Sequence, residues 1–192
     1  MTYSNPARPT TRRSPGVLLA VPVLVVLAAI AVVLGHHVLA SWSSTAGAVP
    51  DRATVFDDGL PAVANLDPAL LDALRHAAAD ASDDGIALHL NSGWRSPAYQ
   101  ERLLREAVSE YGSEQEAARW VATADTSPHV SGEAVDIGPS DATEWLSENG
   151  AGYGLCQIYG NEPWHFELRP EAVDHGCPPT YADPSHDPRM QQ

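Results

Sequence analysis

The chain contains no lysine. All eleven of its basic residues are arginines, set against 25 acidic side chains, for a formal net charge of −14. A nucleic-acid partner is excluded by that balance, because it requires a basic surface that displaces counterions from phosphates. Acids are missing from the N-terminal region, where none occurs before Asp51 although Arg8, Arg12 and Arg13 stand there. Cysteine is limited to Cys156 and Cys177, with no C-x-x-C pair, which argues against a thiolate metal centre. With no internal repeat or low-complexity tract, 192 residues suit one globular domain plus extensions.

Charge and polarity are also absent from Gly16 to Gly35, GVLLAVPVLVVLAAIAVVLG. At about 1.5 Å per helical residue this run spans roughly 30 Å, the hydrocarbon thickness of a bilayer. It predicts a transmembrane helix, in which Pro22 is tolerated. Three arginines precede the run and Arg52 is the next basic residue after it, so residues 1–15 are expected to be a cytoplasmic tail and everything after the helix to be exported. The alternative is a secretory signal cleaved near Ala40, after Val38-Leu39-Ala40, although the run exceeds the usual ~7 to 15 apolar residues of such signals. Residues 36–60 read as an extracytoplasmic linker, 61–178 as the folded domain and 179–192 as a C-terminal tail.

Within the domain, Asp67-Pro68 marks a helix start, and Leu70, Leu71, Leu74 and Ala78 recur at helical spacing until Asp83-Asp84-Gly85. Ile86, Leu88 and Leu90 then alternate with Ala87, His89 and Asn91, the period of a half-buried strand running into SGWR. Ser96-Pro97 starts a second helix ending near Tyr111, and Ser113 with Glu116 forms a capping box for a third.

Two later stretches carry the chemistry. In EAVDIG, Val135 and Ile137 face one way and Asp136 the other, while Pro128 and Gly132 bracket His129 in a turn that can fold back beside Asp136. In NEPWHFEL, Trp164, Phe166 and Leu168 alternate with His165 and Glu167, and Glu162 enters from the loop just before Pro163. Taken singly, Asp136 reads equally as an exposed acid, His165 as a satisfied core histidine and Glu162 as a solvated loop acid. Taken together, two histidines and one carboxylate are a candidate ligand set that leaves zinc a fourth position for water, as catalytic sites do.

SGWRSPAYQ, SPHVSGEAVDIG and EPWHFE, in this order, resemble the three motifs of the VanY-type D-alanyl-D-alanine carboxypeptidases, zinc peptidases of the bacterial cell wall related to the VanX-type dipeptidases. The resemblance implies an α+β fold with a small antiparallel sheet, flanking helices and a zinc site in a cleft on the sheet. It implies one Zn2+ per chain on His129, Asp136 and His165, with Glu162 as catalytic base and Arg95 as a cation beside the reacting carbonyl. Ser127 and Gln100 match positions near the substrate. Arg95 has a plainer alternative as a structural salt bridge. Ala124-Asp125 stands where many relatives place Pro-Gly, which touches the shape of the pocket rim rather than the metal.

The function so implied is removal of the terminal D-alanine from peptidoglycan stem peptides by metal-activated water, on the outer face of a bacterial cell membrane. Dipeptidase or endopeptidase action at the same site, or a catalytically dead wall-binding module, are the alternatives. In an exported domain, Cys156 and Cys177 are expected to form a disulfide.

Overall fold

A computed structural model describes residues 46–191, arranged as helices around one small sheet. The expected membrane helix at 16–35, its tail and the cleavage point near Ala40 lie outside the described residues. Among the described residues no helix is long and apolar enough to cross a membrane.

The body opens with a single helical turn, α1 (Pro61–Ala64), followed by α2 (Pro68–Asp83). The Asp67 side chain accepts from the backbone N–H groups of Ala69 and Leu70, so two of the orphan donors of the first turn are satisfied, and Pro68 occupies the position where a missing N–H costs nothing. Leu70, Leu74, Ala77, Ala78 and Ala81 line the buried face of α2, as the spacing predicts.

Four strands, β1 (His89–Ser92), β2 (Ala134–Gly138), β3 (Leu155–Gln157) and β4 (His165–Leu168), form an antiparallel sheet of order β1-β2-β4-β3. Leu90, Val135, Ile137, Leu155 and Phe166 pack with Leu70 and Leu74 of α2 in the main core. Because side chains alternate across a strand, this choice sends Asp136, His165 and Glu167 to the opposite face. The register sets Val135 opposite Phe166 and Asp136 opposite His165, so one pair feeds the core and the next faces the site. The α+β class with a small antiparallel sheet is therefore as the sequence implies.

The connections supply the walls. The helix α3 (Pro97–Tyr111) starts on Ser96, whose Oγ accepts from the Tyr99 N–H, and ends at Gly112, which takes a φ of 83°. A one-turn helix, α4 (Glu114–Ala117), is capped by Ser113, but the Glu116 carboxylate turns to Arg119 and does not reach back to complete the box. Then α5 (Pro128–Ser131) carries His129 and stops at Gly132, where φ is 81° and a Cβ would meet the Asn65 carbonyl oxygen at 2.4 Å. The helices α6 (Ser140–Asn149) and α7 (Ala172–His175) flank β3 and β4 in sequence, and Cys156 is bonded to Cys177.

Both expected boundaries shift outward. Residues 46–60, read as linker, pack onto the body: Val55 joins the core, the Leu90 N–H donates to Ala53 O at 2.7 Å, and the Ser96 N–H donates to Ala46 O at 2.9 Å. At the other end, 179–191 is no tail. The Gly160 and Tyr181 N–H groups bond across to Tyr181 O and Ile158 O, and Asp183 and Asp187 are buried. Neither segment has a hydrophobic period, because its apolar contacts are few and the rest are backbone hydrogen bonds and ion pairs, which leave no such signature.

Candidate metal centre

Adjacent strands bring Asp136 and His165 side by side, and α5 delivers the third group. The Arg95 N–H donates to the His129 carbonyl at 3.0 Å and the Asp67 N–H to the Gly132 carbonyl at 2.8 Å, which fastens α5 at both ends. His129 Nε2 then lies 3.4 Å from Asp136 Oδ1, and His165 Nδ1 lies 3.3 Å from that same oxygen. The three donor atoms all sit within 4.8 Å of one another, and all three residues are buried.

Each imidazole is oriented by what its other nitrogen does. His129 Nδ1 is 2.9 Å from the Gly93 carbonyl, which can only accept, so Nδ1 carries the proton and Nε2 presents a lone pair to the centre. His165 Nε2 is 3.2 Å from Glu167 Oε1, which leaves Nδ1 inward. That Nδ1 is buried and has no hydrogen-bond partner. Two partnered nitrogens outside and an orphaned one inside form a donor set of the kind that binds a cation. Zinc bonds of about 2.0–2.1 Å at tetrahedral angles would place donor atoms roughly 3.3–3.4 Å apart, the separation the two histidines keep from Asp136. The residues fit the metal.

Charge points the same way. Burial alone would push the Asp136 carboxyl up, but His129, His165 and Arg95 hold it well below the usual carboxylate range. Burial, with Arg95 nearby, lowers His129. Burial would lower His165 as well, yet the carboxylates of Asp136 and Glu167 beside it raise it to about 9.

Glu162 sits at the end of the loop before β4, with its carboxylate oxygen 3.8 Å from His165 Nδ1 and outside the ligand triad. Burial pushes its carboxyl up to about 7. Arg95 is fixed on three sides: Nε donates to Ser92 Oγ at 2.8 Å, Nη1 to Gln100 Oε1 at 3.2 Å and Nη2 to Asp136 Oδ2 at 2.7 Å. Asp136 therefore divides its oxygens, Oδ1 to the histidines and Oδ2 to the guanidinium. Gln100, expected beside a substrate, is 1% exposed and directs its amide N–H to the Ala122 carbonyl, so it acts on the site through Arg95. Ser127 is buried at the start of α5, its hydroxyl without a partner among the described residues.

A cleft of about 340 Å³ opens onto these groups, bounded further out by Tyr111, Trp120 and Trp164. Sequence reading singled out the triad, Glu162 and Arg95, and the structure gathers them in one place. It passed over Glu167, although the two-residue step from His165 places Glu167 on the same strand face. It also passed over Tyr159, whose ring lies 4.9 Å from that of His165, and Arg189, for which the sequence holds no local signal.

A family model described as VanY, D-alanyl-D-alanine carboxypeptidase, matches residues 63–171, a span containing every one of these residues except Arg189. A D-alanyl-D-alanine carboxypeptidase of Enterococcus faecalis is 32% identical over a region covering 43% of this chain and 40% of that protein, so the chain spans about two fifths of the length of this relative. Among solved structures, the vancomycin-resistance D,D-pentapeptidase VanY, captured as a variant in complex with Zn(II), is similar with 28% identity and a TM-score of 0.51, covering 54% of this chain and 72% of its own. VanYB in complex with D-alanine-D-alanine gives 26% identity and a TM-score of 0.53, with 58% and 74% covered. The LdcB LD-carboxypeptidase gives 25% and 0.53, with 65% and 69% covered.

Proposed function

The chain belongs to the VanY D-alanyl-D-alanine carboxypeptidase family, and on that premise we propose that it is a zinc-dependent carboxypeptidase removing the terminal D-alanine from peptidoglycan stem peptides. The observation that carries the reading is the buried His-Asp-His set, with its orphaned His165 Nδ1 and the separate carboxylate of Glu162 3.8 Å away.

His129, Asp136 and His165 would hold the zinc. When bound, zinc polarises the scissile carbonyl and brings the acidity of water close to neutral pH. Glu162 accepts the proton of the attacking water and passes it to the leaving amine, because its carboxylate faces the centre without belonging to the ligand set. Arg95 cannot lose its charge, and with Ser92, Gln100 and Asp136 fixing its plane it stabilises the oxyanion or grips the terminal carboxylate of the peptide. Trp164, 39% exposed at the rim, helps keep water from the bound chain.

The run at 16–35 is proposed to anchor the protein in the bacterial membrane with this domain outside, the topology in which the Cys156–Cys177 disulfide persists. Protease applied to cells stripped of their wall should digest the domain, and protection would contradict that topology.

The enzymatic reading is tested by incubating the zinc-loaded protein with a stem pentapeptide, a tetrapeptide and free D-alanyl-D-alanine, and weighing the products. Release of one D-alanine from the pentapeptide is expected. Cleavage of the tetrapeptide alone would redirect the reading towards the activity named for LdcB, cleavage of the dipeptide alone would make the protein a dipeptidase, and no cleavage would leave a wall-binding module.

A further inference from the structure

His165 can serve a metal only if its ring plane is fixed with Nδ1 inward, and that plane is set by Glu167 from the same strand. Glu167 is itself long, buried to 1% exposure and negatively charged, so it needs fixing and neutralising in turn. Arg169 supplies one contact, Nη2 to Oε2 at 2.7 Å. The larger share comes from the far end of the chain. Arg189 forks onto both oxygens, Nη1 to Oε2 at 2.7 Å and Nη2 to Oε1 at 3.1 Å. Its own orientation is held by Asp187, which is fully buried, accepts from Arg189 Nε at 3.0 Å and accepts from the Tyr159 hydroxyl at 3.0 Å.

We propose that Arg189 is a positioning residue for the metal centre, acting through Glu167 to fix the ring of His165, and that the C-terminal segment Tyr181–Arg189 is therefore part of the catalytic apparatus. The inference rests on the zinc reading above, but it concerns residues beyond the matched span 63–171. A carboxylate that accepts from the outer nitrogen of a ligating histidine fixes its tautomer and raises its basicity, and losing such support typically weakens metal binding by about 10- to 100-fold. The segment has a second anchor that does not pass through Glu167: Arg119 Nε donates to Asp183 Oδ2 at 3.1 Å.

The two anchors make the test. Zinc affinity of the full-length protein is measured by competition with a chromophoric chelator for wild type, Arg189→Ala, Arg189→Lys and Arg119→Ala, and the visible spectrum of the cobalt(II)-loaded proteins is recorded alongside. Arg189→Ala is expected to bind zinc about 10- to 100-fold more weakly with an altered cobalt spectrum, Arg189→Lys to recover part of the loss, and Arg119→Ala to keep wild-type affinity and spectrum. Unchanged affinity in Arg189→Ala would overturn the proposal, as would an equal loss in Arg119→Ala, which would make the segment a general clamp. Should Arg189→Ala not fold, Arg189→Lys decides: its single ammonium cannot reproduce the fork, so wild-type affinity there would refute the role. A wild-type protein that bound no zinc would defeat the functional reading itself, a result separate from these.

Discussion

His129 and His165 offer nitrogens to the same oxygen of Asp136, yet one hangs on the carbonyl of Gly93 and the other on the carboxylate of Glu167. The His129 side is short and neutral: a one-turn helix, a glycine stop and a single backbone acceptor, none of which can titrate. The His165 side is longer and ionic, a relay from Glu167 to Arg189 to Asp187 to Tyr159 that closes only when Asp187 and Arg189 are in place. A charged acceptor makes a more basic ligand than a carbonyl does, at the cost of dependence on distant partners. The difference separates a side that the fold makes rigid from a side whose strength can be tuned.

Removing either ligand should erase the distinction, which gives the largest effect. His129→Ala and His165→Ala are both expected to lose stoichiometric zinc and all peptidase activity. Metal analysis of the purified variants checks this, and full occupancy in either would take that residue out of the centre.

The disulfide sharpens the comparison, because Cys177 lies just ahead of the segment that braces His165, whereas α5 is fastened by two backbone hydrogen bonds. Reducing it should lower stability by roughly 3 kcal/mol on loop-closure grounds, read as an earlier urea midpoint. An unchanged midpoint would show that the C-terminal segment is held without it.

Next in size is Glu167→Gln, which keeps an oxygen for His165 but removes the charge that Arg169 and Arg189 pair with. Zinc affinity should fall by about 10- to 100-fold, with the His129 side untouched. Equal affinity in the variant would make the two sides equivalent and break the comparison.

The smallest effect concerns acid. Burial would raise the Asp183 carboxyl, but hydrogen bonds from Ser185, His186 and Arg119 lower it to about 2. A depressed folded-state value means a stabilising contribution that is complete above the unfolded value near ~3.9 and lost as pH falls from about 4 towards about 2. The urea midpoint should therefore drop over that window in wild type and drop less in Asp183→Asn. Identical acid profiles would remove Asp183 from the brace.

The legible parts of the molecule are those that repeat. Alternation in AVDIG and WHFEL marks two strands and puts Asp136 and His165 on their polar faces, and the proline and glycine around His129 mark its turn, so the meeting of these three side chains is legible in the sequence. What stayed hidden has no period. Ala53 and Val55 enter the core from a stretch too short to show one. Arg189 meets Glu167 across 22 positions through an ion pair, and a lone arginine near a chain end looks the same whether it is solvated or buried against a carboxylate. The motif puts Gln100 near the substrate, but only the packing shows that its amide is committed to Arg95 and Ala122.

The most direct measurement compares wild type with Glu162→Gln for zinc content and for D-alanine release from a stem pentapeptide. Glutamine nearly preserves the shape of Glu162 but cannot take up the proton of the attacking water. The variant should hold one zinc per chain and lose about 10²- to 10⁴-fold in turnover. Turnover near wild type with zinc retained would contradict the assignment of Glu162 as general base, and with it the central claim that a ligand set and a separate base are laid side by side on this sheet.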